Sequence, residues 1–556
     1  AYAYLQGELG VKVRLWFIKA RIPIIKGGAA ALLQAKLPNP SWFQGYLGVN
    51  FNVLGGLVKG NMRLKLTIGH ECEIVSNSTS PIDVQVIADL TPKDKSMDID
   101  VFSAPQASFN MRANQPFDMQ DDNGNHTYRI KLEKLVVLNN NQEIPGRLEW
   151  NANEDAVTFY STEILPPNKP LKALAKVTFE ELKGGRWQTV YIDGKKSEEL
   201  KEVSFTTGLA PTTIPNTNID YAYPTVGQKN MYKDETPTGY IKLKRGQSYL
   251  FEDATGQALR FVSNANVTTT QAFSYDRANM QLNFNLPTVI KNQSTYLIDF
   301  YDNNKKSVTN ENDKYNKTDL GEDTLYYAVK DKQADQIERG DMTKSILNYT
   351  FSTSKHNRFE DKMNSIRITD ALAGRVTSDV INLQTEVADY EMFDIHELVG
   401  SAYTANKPLI QPFAILDDNY FTEDIFPRNY KTYPLAGDVT FKNRDTALLG
   451  LYPIRALPLM TNYVSEVQQN ILNGETKNRL PYIYNLPEIY KNDFLDIQNQ
   501  IVNKYLGSGQ AMQFDYLING YYPFIRRGIY RVKYQYVLPD GKLGSSKVIG
   551  YENPIK

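Results

Sequence analysis

Two stretches of this chain close almost alike, Ser204-Phe205-Thr206-Thr207-Gly208 and Thr350-Phe351-Ser352-Thr353-Ser354, each after a run of alternating apolar and polar residues. Alternation with period two belongs to a strand with one buried face. A repeated closing strand therefore predicts one β-sandwich written twice, and duplicated sandwiches bind, space or assemble more often than they catalyse. At 556 residues the chain exceeds what one core can organise and predicts about three to five domains. Its 36 tyrosines and 24 phenylalanines favour strands. The expected fold class is mainly β: tandem sandwich modules, an N-terminal curled antiparallel sheet and a mixed α+β C-terminal region.

Charge and cysteine usage narrow the partners. The 62 basic and 63 acidic side chains cancel, which argues against nucleic acid. A single cysteine, Cys72, excludes an intrachain disulfide framework and a cysteine-rich metal site. No run approaches the ~18 apolar residues of a membrane helix, so no membrane span is expected. The opening Ala1-Tyr2-Ala3-Tyr4-Leu5 lacks an initiator methionine and a signal sequence and lies within a strand-like pattern. It reads as part of a longer polypeptide.

Five regions follow along the chain. Residues 1–75 form a glycine-spaced antiparallel β segment of a larger domain. Glu8 is its sole acid up to Gly69, against nine lysines and arginines, which predicts a basic face. Residues 76–210 form a sandwich with a strand entering a turn at Val101–Pro105, strands at Arg147–Trp150, Val157–Phe159 and Val203–Thr207, and a turn at Asp193-Gly194. Residues 211–255 hold a proline-fixed linker and short strands, Gly239–Leu243 and Ser248–Phe251. Residues 256–356 form the second sandwich, with a mobile polar insertion over Asp302–Asp323. Residues 357–556 are mixed α+β, with helices over Thr461–Asn473 and Pro487–Leu506, the latter stopped by Gly507, and a terminal hairpin turning at Pro539-Asp540-Gly541.

Constellations that carry chemistry are sparse. His70, His126, His356 and His396 show no zinc spacing and read as surface or packing residues. Phosphate-binding glycine loops, the dinucleotide fingerprint and the nucleophile elbow do not occur. Cys72 lies between Glu71 and Glu73, whose charges weaken a thiolate. Glu180-Glu181, Asp299 and Asp302 are candidate acid pairs, but neighbours on a strand face opposite ways, so solvated carboxylates are the better reading. The acidic loop Asp118–Asn125 offers the oxygens calcium prefers, with Asp118, Asp121, Asp122 and Asn123 as the candidate ligands. It lacks the bidentate glutamate of an EF-hand, and ordinary turn usage competes with that reading. No other cofactor is expected. Trp42, Trp150 and Trp187 could stack on sugars or fill cores.

Two resemblances extend this reading. Residues 101–207, in the order VFSAP, IPG, VTF, ILPP, KVTF, DG and VSFTT, resemble bacterial Ig-like domains carried in tandem on large surface proteins. The opening phrases YLQGELGVKVRLWF, IPIIKGGAAALLQAKLPNPSW and VLGGLVKGNMRLKLTIGHECEI resemble a region of giant secreted surface proteins of the Bacteroidota, type IX secretion cargo that includes adhesins and grappling-hook appendages. Asp323-Thr324-Leu325 and Asp445-Thr446-Ala447 match that phylum's O-glycosylation acceptor pattern. The resemblance implies an exported, extracellular or cell-surface, non-enzymatic structural and adhesive protein. Its partners would be copies of itself, meeting through module edges, and a cell-surface glycan or prey surface. The alternative is a glycan-binding or carbohydrate-active protein with its site in the C-terminal region.

Overall fold

Alternation becomes strand along most of the chain, and the fold is mainly β, built from several separate and almost wholly antiparallel sheets. The computed structural model describes residues 10–15, 18–23, 30–36, 42–53, 58–68, 82–83, 85–121, 124–192, 194–304, 344–370, 381–382, 384–387, 391–431, 441, 444, 451–454, 480 and 482–553. Two compact units divide it, Ala1–Ala210 and Pro211–Lys556.

In the first unit, Gly10–Leu15 pairs with Ile18–Pro23, and Ala30–Lys36, Trp42–Val53 and Val58–Ile68 form an antiparallel meander. The side chains of the expected basic face, with His70 and Cys72, lie outside the described residues. A sandwich follows. One sheet runs Pro116–Asp121, Gly124–Asn139, Pro170–Lys183, Glu198–Thr207, Ser96–Ile99. The other runs Gly146–Trp150, Ala156–Ser161, Gln106–Phe109, Ile87–Thr91. Val137, Ala173, Val177, Phe179 and Phe205 of the first meet Leu90, Ala107, Val157 and Phe159 of the second in one core. Val101–Pro105, expected as a strand entering a turn, forms the turn without the strand. The Asp100 carboxylate accepts the Phe102 amide at 2.8 Å and its carbonyl accepts that of Ser103 at 2.9 Å, so the side chain competes with sheet pairing.

The second unit opens with another sandwich. Its front sheet runs Ile219–Tyr223, Thr238–Leu243, Gln281–Asn285, Phe273–Asp276; its rear sheet runs Thr268–Gln271, Gln257–Ser263, Thr295–Asp302, Ser345–Ser352. Phe284 of the front sheet stands 6.1 Å from Phe261 and 5.6 Å from Phe300 of the rear, and Phe273 stands 5.0 Å from Phe300. Ser248–Phe251, expected as a strand, is one 3₁₀ turn. The Gln247 carbonyl accepts the Leu250 amide at 3.0 Å, and the chain uses this bend to cross from one sheet to the other.

The repeated sequence ending has one structural cause. Phe205 and Phe351 each fill a core, while the threonine two residues later binds a loop. Thr207 donates to the Pro166 carbonyl at 2.5 Å and accepts the Lys169 amide at 3.1 Å; Thr353 donates to the Lys291 carbonyl at 2.7 Å and accepts the Ser294 amide at 3.0 Å. In both loops the residue before that amide donor, Asn168 or Gln293, has positive φ. Each sandwich thus closes on a threonine-clamped corner of the same design.

Beyond the second sandwich the core does not stop. A three-stranded sheet, Ile410–Ile415, Gly528–Val537 and Leu543–Asn553, joins the sandwich in one core that runs from Ile214 to Tyr551, so the stretches read separately as 211–255, 256–356 and 357–556 share an interior, beside a smaller cluster around Phe494 and Ile501. The expected terminal hairpin is present. The helix Leu486–Tyr505 carries Pro487 in its first turn, and Gly507 beyond it adopts positive φ, as its spacing predicts. The expected helix over Thr461–Asn473 and the insertion beyond Asn304 lie outside the described residues.

Candidate functional site

Asp394 and Glu397 have capping-box spacing, and the short helix Ile395–Leu398 uses it: each carboxylate accepts the other's backbone amide at 2.9 Å. The Glu397 side chain enters the seam between sandwich and C-terminal sheet. There Asn230 Nδ2 donates to it at 2.7 Å and the Tyr232 hydroxyl donates to its other oxygen. Lys362, on the helix Phe359–Asn364, places Nζ 3.5 Å from Glu397 and 3.4 Å from Glu391, and donates to the Met392 carbonyl at 3.2 Å. Lys362 and Glu397 are both 0% exposed. Burial pushes the Glu397 carboxyl up to about 7, Lys362 opposes the rise and Asp394 adds to it.

The loop after Tyr223 supplies further ties across the seam. Gln228 Nε2 donates to the Tyr536 hydroxyl at 3.1 Å, and Glu235 accepts the backbone amides of Phe359 and Ser545, each at 2.7 Å. A second enclosed pair lies farther on, where Arg444 and the Tyr430 hydroxyl both reach Asp493 Oδ2 at 2.6 Å. Burial raises Asp493 to about 6 against the pull of Tyr430 and Arg444. These enclosed ion pairs tie together the elements that supply them.

Facing solvent is a hollow of about 450 Å³ on the outside of the front sheet. On the Gln281–Asn285 strand, Leu282 and Phe284 turn into the core, leaving Gln281, Asn283 and Asn285 outward. Pairing sets Tyr240 and Ser274 on either side of Asn283, and Thr238 beside Asn285. The Pro539–Lys542 turn forms the wall: the Asp540 amide donates to the Tyr240 hydroxyl at 3.1 Å, and Lys542 Nζ lies 2.9 Å from the Asp540 carboxylate and 5.9 Å from the Tyr240 ring centre.

The residues singled out in the sequence are scattered. Asp118 and Asp121 fall on one strand at positions of opposite face, and Asp118 accepts the Thr127 hydroxyl at 2.6 Å; Asp122 and Asn123 lie outside the described residues. Glu180 pairs with Arg129, and Glu181 with Lys183 and His126. Asp299 is buried beneath Arg260, whose Nε donates to it at 2.9 Å, while Asp302 accepts the Asn304 amide at 2.8 Å. His396 is buried and held below its usual range by desolvation, with Nδ1 2.9 Å from the Ser401 hydroxyl. Trp150 packs on Phe109 at 5.7 Å, and Trp187 lies beneath Arg129 at 4.3 Å. Sequence reasoning missed Lys362, Glu391 and Asn230; the Asp394-x-x-Glu397 spacing was the available signal.

No protein-family description matches the chain, and no curated protein matches it. Among solved structures it is similar to L,D-transpeptidase 3 from Mycobacterium tuberculosis, at 14% identity over 29% of this chain and 45% of that one, with a TM-score of 0.13. A likeness that small carries no argument about activity.

Proposed function

We propose that this chain is a non-enzymatic structural and adhesive segment of a very large extracellular surface protein, which self-assembles into an appendage for attachment to surfaces or prey cells. The observation that carries this reading is a self-complementary strand. Gly146–Trp150 ends its sheet, with Arg147, Leu148 and Glu149 exposed and Arg147 2.7 Å from Glu149. A second copy pairing antiparallel about Leu148 sets Arg147 of each chain against Glu149 of the other, and identical chains meeting through one patch close into symmetric assemblies. The shared core of the second unit, tied by Lys362 and Glu397, supports a stiff spacer.

Electron microscopy and sedimentation of the purified chain test the proposal. Rings, bundles or fibres are expected, and Leu148→Lys, which places a charge on the pairing edge, should disperse them. Monodisperse monomers at all concentrations, or assembly indifferent to Leu148→Lys, overturn it.

A further inference from the structure

We propose that the hollow on the front sheet of the second unit binds a neutral saccharide. The inference rests on the attachment half of the reading above and names the chemistry of what is gripped. Its floor offers the three amides of Gln281, Asn283 and Asn285 and the hydroxyls of Ser274 and Thr238. An amide presents a donor and an acceptor side by side, which matches vicinal hydroxyls, each of which gives one hydrogen bond and takes another. Gln281 Nε2 donates to Asn283 Oδ1 at 2.7 Å, which fixes these two amides relative to each other.

Charge selects within the sugars. The one ionic group on the lining, Lys542, already faces the Asp540 carboxylate at 2.9 Å, so an acidic sugar would compete with that partner while a neutral one needs no counter-charge. The volume falls in the range of about 300–1,000 Å³ typical of small-ligand sites. The floor is also pre-formed. Gly239 opposite Phe284 lets the core ring pack against bare backbone, where a Cβ would overlap it and stand 2.9 Å from the Tyr223 carbonyl. The strands that carry the amides are thereby fixed by the core before ligand arrives.

The test uses the full chain with labelled cellotriose, maltotriose, mannotriose and chitotriose as neutral probes, trigalacturonate as the acidic probe, and an extended peptide as the competing class. At least one neutral trisaccharide should bind with a Kd at or below about 1 mM, and Asn283→Ala with Asn285→Ala should weaken it about tenfold or more. Both positions face solvent, so an unchanged melting temperature verifies the variant's fold. Three results overturn the inference: no neutral probe binds, the double variant binds as the parent does, or only trigalacturonate or the peptide binds. Sedimentation of the same samples separates this from the assembly reading, because saccharide binding by a strictly monomeric chain would sink only that reading.

Discussion

The sandwich of the first unit carries a ladder of ion pairs on its outer face, and the second unit encloses Lys362 with Glu397. On the outer face of the first, Lys176 meets Glu198 at 2.7 Å and Glu133 at 3.8 Å, Lys196 meets Glu133 at 2.8 Å, and Lys172 meets Glu202 at 3.1 Å, all in contact with water. Such pairs lace neighbouring strands and keep the face soluble, and each contributes little because water and salt screen it. In the second unit Lys362 and Glu397 are sealed in the seam, where an unmatched charge is severely destabilising. The first sandwich is therefore specified by its own alternation, while in the second the charges dictate which other elements must dock.

Removing the Lys362 ammonium gives the largest expected effect. Lys362→Met leaves Glu397 without its cation and should destabilise the second unit by about 3–5 kcal/mol, and adding Glu397→Gln should recover much of that. Two-transition urea melts check it; loss in the first unit's transition instead would break the comparison.

The pH dependence should run in opposite directions. Glu397 sits near 7 when folded against 4.5 for the free group, so its contribution to the second unit is complete below about 4.5 and is lost as pH rises through about 7. Glu397→Gln should remove that slope. In the first unit, the Lys196 hydrogen bond holds Glu133 below its usual range; at Glu181 burial opposes, but Lys183 and His126 together win. Their modest contribution is present above about 4.5 and is lost as pH falls through the depressed folded values. Melts across pH 3 to 8 that move both transitions the same way would count against this account.

Where the units are alike, they should respond alike. Thr207→Val and Thr353→Val each release a surface loop from a buried threonine clamp and should cost about 0.5–1.5 kcal/mol, each in its own transition. The smallest effect belongs to the outer ladder, where Lys176→Ala should change the first unit's stability by less than about 1 kcal/mol, and less still at high salt.

Much of the fold was legible because it is local. Tyr530, Val532, Tyr534 and Tyr536 alternate and are buried on one face, and Pro487 and Gly507 bracket a real helix. The errors were local too: at Val101–Pro105 and Ser248–Phe251, residues with strand propensity were captured by backbone amides donating to Asp100 and Gln247. The seam was not legible. Asn230 and Tyr232, Lys362, and Glu397 come from three separate stretches, each unremarkable alone, and the hollow needs Lys542 brought against Tyr240.

Residue order by itself determined the strands, the duplicated corner and the mainly β class, because period-two alternation and a threonine spaced from a core phenylalanine act within one element and its neighbouring loop. Tertiary structure alone decided that the second sandwich and the C-terminal sheet share an interior, and which carboxylate became the perturbed one. Desolvation and Coulomb attraction act through space, and no local pattern records which distant side chains will be enclosed together.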